Sequence, residues 1–102
     1  MPVSADVQAA ISQRYAQLAD SITHANAAEE KAILAPHFVD RAKMKLGSFE
    51  YDPLTVLVQK IVVTGGGRLT VHAEYVGVHG HNATTVDVWQ KKDDDWILLS
   101  RQ

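Results

Sequence analysis

The sequence predicts an α+β fold, two helices followed by an antiparallel meander of strands. Three observations carry that prediction. Apolar residues in the first quarter of the chain recur at helical spacing. From Leu54 onward β-branched residues dominate. Glycines then punctuate the second half at hairpin intervals. A chain of 102 residues is long enough for one small domain, spanning 1–102, and too short for two.

The first helix starts after Ser4, a suitable N-cap, and Asp6 favours the positive end of the helix dipole. Val7, Ile11, Tyr15, Leu18 and Ile22 share one face. Arg14 lies near the edge of that stripe, where its stem packs and its head reaches water. Asn26 and Glu29 resemble a capping box that opens a second helix. Ala28, Ala32 and Ala35 give that helix a thin apolar face, with Ile33 and Leu34 beside it, and Pro36 marks its end.

Four strands follow. Leu54–Thr64 is apolar on both faces, as a strand covered on both sides would be. Gly65, Gly66 and Gly67 make a hairpin turn, since a strand follows where a phosphate-binding loop requires a helix. Arg68–Val78, Ala83–Gln90 and Trp96–Arg101 complete the meander, with Lys91–Asp95 as a solvated turn. Two helices can cover only one face of such a sheet. A second copy of the chain is the simplest cover for the other face, so a homodimer through the sheet face is expected.

Composition narrows the function. The formal charge is −2 with no basic stripe, which gives no support to a nucleic-acid or anionic-membrane partner. There is no cysteine, so disulfides, thiolate catalysis and Cys-based metal sites are excluded. The first residues lack the charged and apolar regions of a signal peptide, and no apolar run reaches transmembrane length. A cytoplasmic location is expected. His79 and His81 form an H-x-H pair near His72, but without a further ligand at metal spacing, and they fall at the turn around Gly80. No metal or cofactor is expected.

Asp87 is the residue that composition does not explain. It stands between Val86 and Val88, and alternation places it on one face with Thr85 and Trp89. If that face meets the helices, the carboxyl is buried. A buried carboxyl resists ionisation, and a neutral one donates a hydrogen bond. An exposed or purely structural aspartate is the competing reading. Tyr15 raises the same choice, since a tyrosine on an apolar stripe needs one polar partner for its hydroxyl.

The segments QRYAQLADSITHANAAEEKAILAPHFVD, EYVG and TTVDVWQKKDDDWILLSRQ resemble the opening helices and late hairpins of nuclear transport factor 2-like proteins. The likeness includes the polyketide-cyclase (SnoaL-like) and ketosteroid-isomerase branches. It implies a cone-shaped, curved antiparallel sheet wrapped around the N-terminal helices, a pocket between helix and sheet, and dimerisation. In the isomerase branch a helix tyrosine and a strand aspartate form an oxyanion hole; Tyr15 and Asp87 match them. That isomerase is the standard example of an aspartic acid kept neutral by apolar surroundings. Two features depart from the pattern. Leu46 or Lys45 stands where the family's catalytic base belongs, with Asp40, Glu50 and Asp52 as unmatched nearby acids. The stretch from Gly47 to Pro53 is too short for the family's third helix.

Three functions follow as expectations. The first is a small-molecule-binding domain, with Tyr15, Phe38, Asp87 and Trp89 around a small apolar ligand bearing a carbonyl or phenol oxygen. The second is an isomerase- or cyclase-type enzyme with Tyr15 and Asp87 as oxyanion donors and Asp40 as base. The third is a non-catalytic dimerisation module whose hollow is filled by its own side chains.

Overall fold

In a computed structural model the chain is described over residues 3–41, 53–80 and 82–102. The first helix, α1, is Ala5–Thr23; Ser4 caps it, its hydroxyl accepting from the Val7 amide at 3.3 Å. The predicted stripe is its buried face: Ile11, Tyr15, Leu18 and Ile22 are buried, and Val7 packs against the same core. No helix among the described residues is long and apolar enough to cross a membrane.

The second helix, α2, is shorter than expected, Ala27–Ile33. Asn26 caps it as predicted, accepting from the Glu29 amide at 3.1 Å. Its predicted alanine face is not its packing face. Ala28 and Ala32 are exposed, and Ile33 is the residue that enters the core. Ala35 belongs to a strand that the sequence did not announce: β1, Leu34–Asp40. Pro36 lies inside this strand. β1 is an edge strand, where a missing N–H is tolerated, and its register breaks between Leu34 and Val39.

The four expected strands are β2 (Leu54–Gly65), β3 (Arg68–Gly77), β4 (Asn82–Lys92) and β5 (Asp95–Arg101). They form the antiparallel meander, and β1 joins its end in parallel with β5, giving the order β1-β5-β4-β3-β2. The sheet is curved and unclosed, and α1 packs on its inner face. The fold class is therefore α+β, as predicted. The expected loss of a third helix concerns residues outside those described.

The inner face is built by alternation: Leu69, Val71, Ala73 and Tyr75 from β3, and Thr85, Asp87 and Trp89 from β4, are all buried. Two bulges reset the alternation. One, between Val58 and Lys60, keeps both Val58 and Ile61 against the core. The other lies where Val88 pairs with Ser100 but Trp89 pairs with Leu98. It adds one residue to β5, so Leu98 and Arg101, three apart, both point inward.

Arg14 holds α1 to β5. Its Nε–H donates to the Trp96 carbonyl at 2.9 Å, and its Nη2 lies 2.8 Å from Asp95 Oδ2. The turn between β2 and β3 uses Gly65, Gly66 and Gly67, all with positive φ. Gly66, at φ 63°, is in the left-handed region where a Cβ is strained. Gly66→Ala is expected to lower stability by about 1–2 kcal/mol in urea unfolding, without changing the fold.

Candidate functional site

Tyr15 and Asp87 meet as the sequence suggested. The Tyr15 hydroxyl donates to Asp87 Oδ2 at 2.6 Å. The helix stripe aims the tyrosine at the sheet, and strand alternation turns the carboxyl up to receive it. Trp89, one step along the same strand face, donates from Nε1 to the Tyr15 oxygen at 3.0 Å. Its ring meets Tyr15 edge-on, with centroids 5.0 Å apart.

Two further residues complete the cluster. Tyr75 donates its hydroxyl proton to the same Asp87 Oδ2 at 2.9 Å, and Arg101 Nη2 donates to the Tyr75 oxygen at 3.1 Å. The result is one directed chain, Trp89 to Tyr15 to Asp87 from one side and Arg101 to Tyr75 to Asp87 from the other. An indole N–H and a guanidinium N–H can only donate. They fill the acceptor side of each phenol, and each phenol turns its single proton to the carboxylate.

Arg101 is the counter-charge. Its Nε lies 3.7 Å from Asp87 Oδ1 and its Nη1 lies 3.8 Å from Asp40 Oδ2. These separations are ion-pair contacts but too long for hydrogen bonds, and Asp87 Oδ1, Arg101 Nε and Arg101 Nη1 have no hydrogen-bond partner. The guanidinium stacks between rings, 5.5 Å from the Phe38 centroid and 5.1 Å from that of Tyr75. Sheet register explains the meeting: Asp40 pairs with Arg101, and Arg101 with Asp87, in one row across three strands.

Burial dominates the electrostatics. It raises the pKa of Tyr15 well above the usual phenol value, and the adjacent Asp87 charge raises it further. Tyr75 is raised for the same leading reason, partly opposed by Arg101. For Arg101 burial acts to lower the pKa, but Tyr75, Asp87 and Asp40 outweigh it and the net shift is upward. Both phenols thus stay protonated and the guanidinium stays charged. Glu30 of α2 feels the same guanidinium; its pKa is raised by burial, with Arg101 opposing. One cation therefore serves three carboxyl groups.

All five sequence-predicted site residues lie in or beside this cluster: Tyr15, Asp87 and Trp89 within it, Phe38 and Asp40 around Arg101. Asp87 Oδ2 accepts from both tyrosine hydroxyls, and a buried arginine stands beside the same carboxyl group. Tyr75 was legible in the sequence, since it shares the alternation of Leu69, Val71 and Ala73. Arg101 was not, because strict alternation from Trp96 and Leu98 turns it outward; only the bulge turns it in. Lys45, Leu46, Glu50 and Asp52, the positions considered for a base, lie outside the described residues. So does His81. His72 faces the outer side of the sheet opposite Lys60 and Val86, away from the cluster.

The cluster is closed. Tyr15 is 1% exposed, and Tyr75, Asp87 and Trp89 are 0% exposed. Four surface cavities among the described residues are lined by other side chains.

No protein-family model and no curated protein matches the sequence. Solved structures do match. A nuclear transport factor 2-like protein of unknown function from Shewanella baltica superposes with a TM-score of 0.70 at 13% identity, covering 99% of this chain and 94% of that one. Another, from Methylobacillus flagellatus, gives 0.71 at 12% identity, covering 97% and 91%. A Xanthomonas campestris protein named for the association domain of calcium/calmodulin dependent protein kinase II gives 0.62 at 12%, covering 100% and 86%. The chain therefore has the nuclear transport factor 2-like, cystatin-like fold. At these identities the likeness defines the fold alone.

Two measurements follow. In urea unfolding, Tyr15→Phe is expected to cost about 1–3 kcal/mol, the loss of a buried polar partner. Asp87→Asn is expected to cost more, about 3–5 kcal/mol, because it strands a buried guanidinium. Equal, small effects would mean that the chain of bonds is not stabilising. The second concerns pH. A carboxyl whose folded pKa is raised binds its proton more tightly in the folded state, so stability falls as pH rises from the ordinary glutamate value of 4.5 through the folded pKa. Glu30→Gln should therefore raise the melting temperature at neutral pH and leave it nearly unchanged in acid, well below that window.

Proposed function

We infer that this domain is a non-catalytic assembly module that pairs with a second copy through the outer face of its sheet. The observation that carries this reading is the closed core. An oxyanion hole needs donors whose protons are free to meet a ligand oxygen. Here the proton of Tyr15 is committed to Asp87, and Asp87 receives bonds at Oδ2 from two phenols. Neither is exposed. This weighs against a small apolar ligand seated at Tyr15, Phe38, Asp87 and Trp89. It weighs equally against an isomerase- or cyclase-type reaction there. Asp40, the acid considered as base, lies against a guanidinium rather than at the mouth of a hollow.

The outer face supports the assembly half of the reading. One register row crosses all five strands as Val39, Ser100, Val88, Thr70 and Val62. Leu57 adds a second exposed apolar side chain on the outer face of β2, paired with Glu74 and separated from the Val62 row by the Lys60–His72 pair. Val39, Leu57 and Val62 are each more than a third exposed in the single chain. Apolar residues on the outer face of a sheet are well used only when something covers them. The neighbour named for an association domain shares this fold, which is compatible with such a role and no more.

Sedimentation tests the proposal. The wild type should run as a dimer at micromolar concentration, and Val88→Lys, at the centre of the row, should weaken association by about tenfold or more with unchanged circular dichroism. A wild-type monomer under those conditions contradicts it. Phenol titration tests the rejected alternative: saturable binding that Tyr15→Phe and Asp87→Asn both weaken would restore the oxyanion hole.

A further inference from the structure

We propose that the groove between the C-terminal half of α1 and the start of β2 binds a small organic ammonium ion with an apolar body. The groove has a volume of about 450 Å³, within the range of small-molecule sites. Its floor is apolar, formed by Ala16 and Ala19 on the helix and Leu54 and Val56 on the strand. The alanines create the space, since any larger side chain at Ala16 would occupy it.

Charge selects the ligand. Asp20 is the one formally charged side chain among the described residues lining the groove, and the last turn of α1 contains no basic residue. That turn also presents the negative end of the helix dipole. His24 adds an acceptor. Its Nδ1 lies 2.9 Å from the Asp20 carbonyl oxygen and 3.1 Å from Asp20 Oδ1. Both neighbours are acceptors, so Nδ1 carries the proton, and in the neutral ring Nε2 is left with its lone pair. A carboxylate and an imidazole nitrogen beside an apolar floor suit an ammonium head and an aromatic or aliphatic body. An anion is opposed by the carboxylate and by the dipole.

Asp20 and His24 are both more than half exposed, so the electrostatic share of affinity is modest and salt-sensitive. The site shares no lining residue with the buried cluster or with the apolar row on the outer sheet face. Its success or failure is therefore independent of the assembly reading.

The test is an amide-resolved NMR titration of the wild-type chain at about pH 8, where an alkylammonium probe keeps its charge. The probes are benzylammonium, benzyl alcohol and benzoate. Benzylammonium should bind with a dissociation constant of about a millimolar and shift the Ala16, Leu54 and Val56 amides. Benzyl alcohol should bind roughly three- to fivefold more weakly, and benzoate more weakly still. Ala16→Leu, at an exposed helical position that suits leucine, should abolish binding with the spectrum otherwise preserved. Asp20→Asn should erase the advantage of the ammonium and leave the alcohol unaffected. Equal affinity for the three probes, shifts confined to other residues, or unchanged binding by Ala16→Leu would each overturn the proposal.

Discussion

The structure is organised around a buried ion pair. Arg101 and Asp87 are cross-strand partners, and both are removed from water. Taking two charges out of water is costly, and their attraction offsets that cost only if the remaining polar atoms are satisfied. Tyr15 and Tyr75 meet this requirement for Oδ2 of Asp87, and Trp89 stabilises Tyr15 in turn. The requirement sets the rest of the architecture. The helix stripe must present Tyr15 at one height above the sheet. The β5 bulge must turn Arg101 inward. The edge strand must bring Asp40 and Phe38 to the guanidinium.

The same pair of residue types can serve opposite ends. In a catalytic setting a tyrosine and a neutral aspartic acid offer protons to a bound oxygen. Here an arginine stands behind the pair, and the tyrosine hydroxyl is bonded to the aspartate inside the core. The difference is not visible in Tyr15 or Asp87 themselves. It lies in what stands behind them, which is why a shared fold carries so little information about chemistry.

The legible parts were those governed by local rules. Helical spacing gave the α1 face, the Asn26 cap gave the start of α2, and glycine clusters gave the hairpins. Period-two alternation placed Thr85, Asp87 and Trp89 together, so the Tyr15–Asp87 contact was within reach of the sequence. The failures share a cause. Pro36 reads locally as a helix stop, yet it sits in an edge strand whose missing donor is harmless. Ala28 and Ala32 looked like a packing face, but a helix of seven residues buries only what its neighbours reach, and that is Ile33.

By itself the sequence determined most element types, the inner and outer phases of β3 and β4, and the identity of Tyr15, Asp87 and Trp89 in the buried cluster. Periodicity is a property of the chain, and it survives without knowledge of neighbours. Only the tertiary structure decided that Arg101 faces inward, that β1 exists, and that Tyr75 and Arg101 join Tyr15 around Asp87. A one-residue bulge reverses every side chain beyond it, and the direction of a hydrogen bond depends on the groups that converge on it from distant strands.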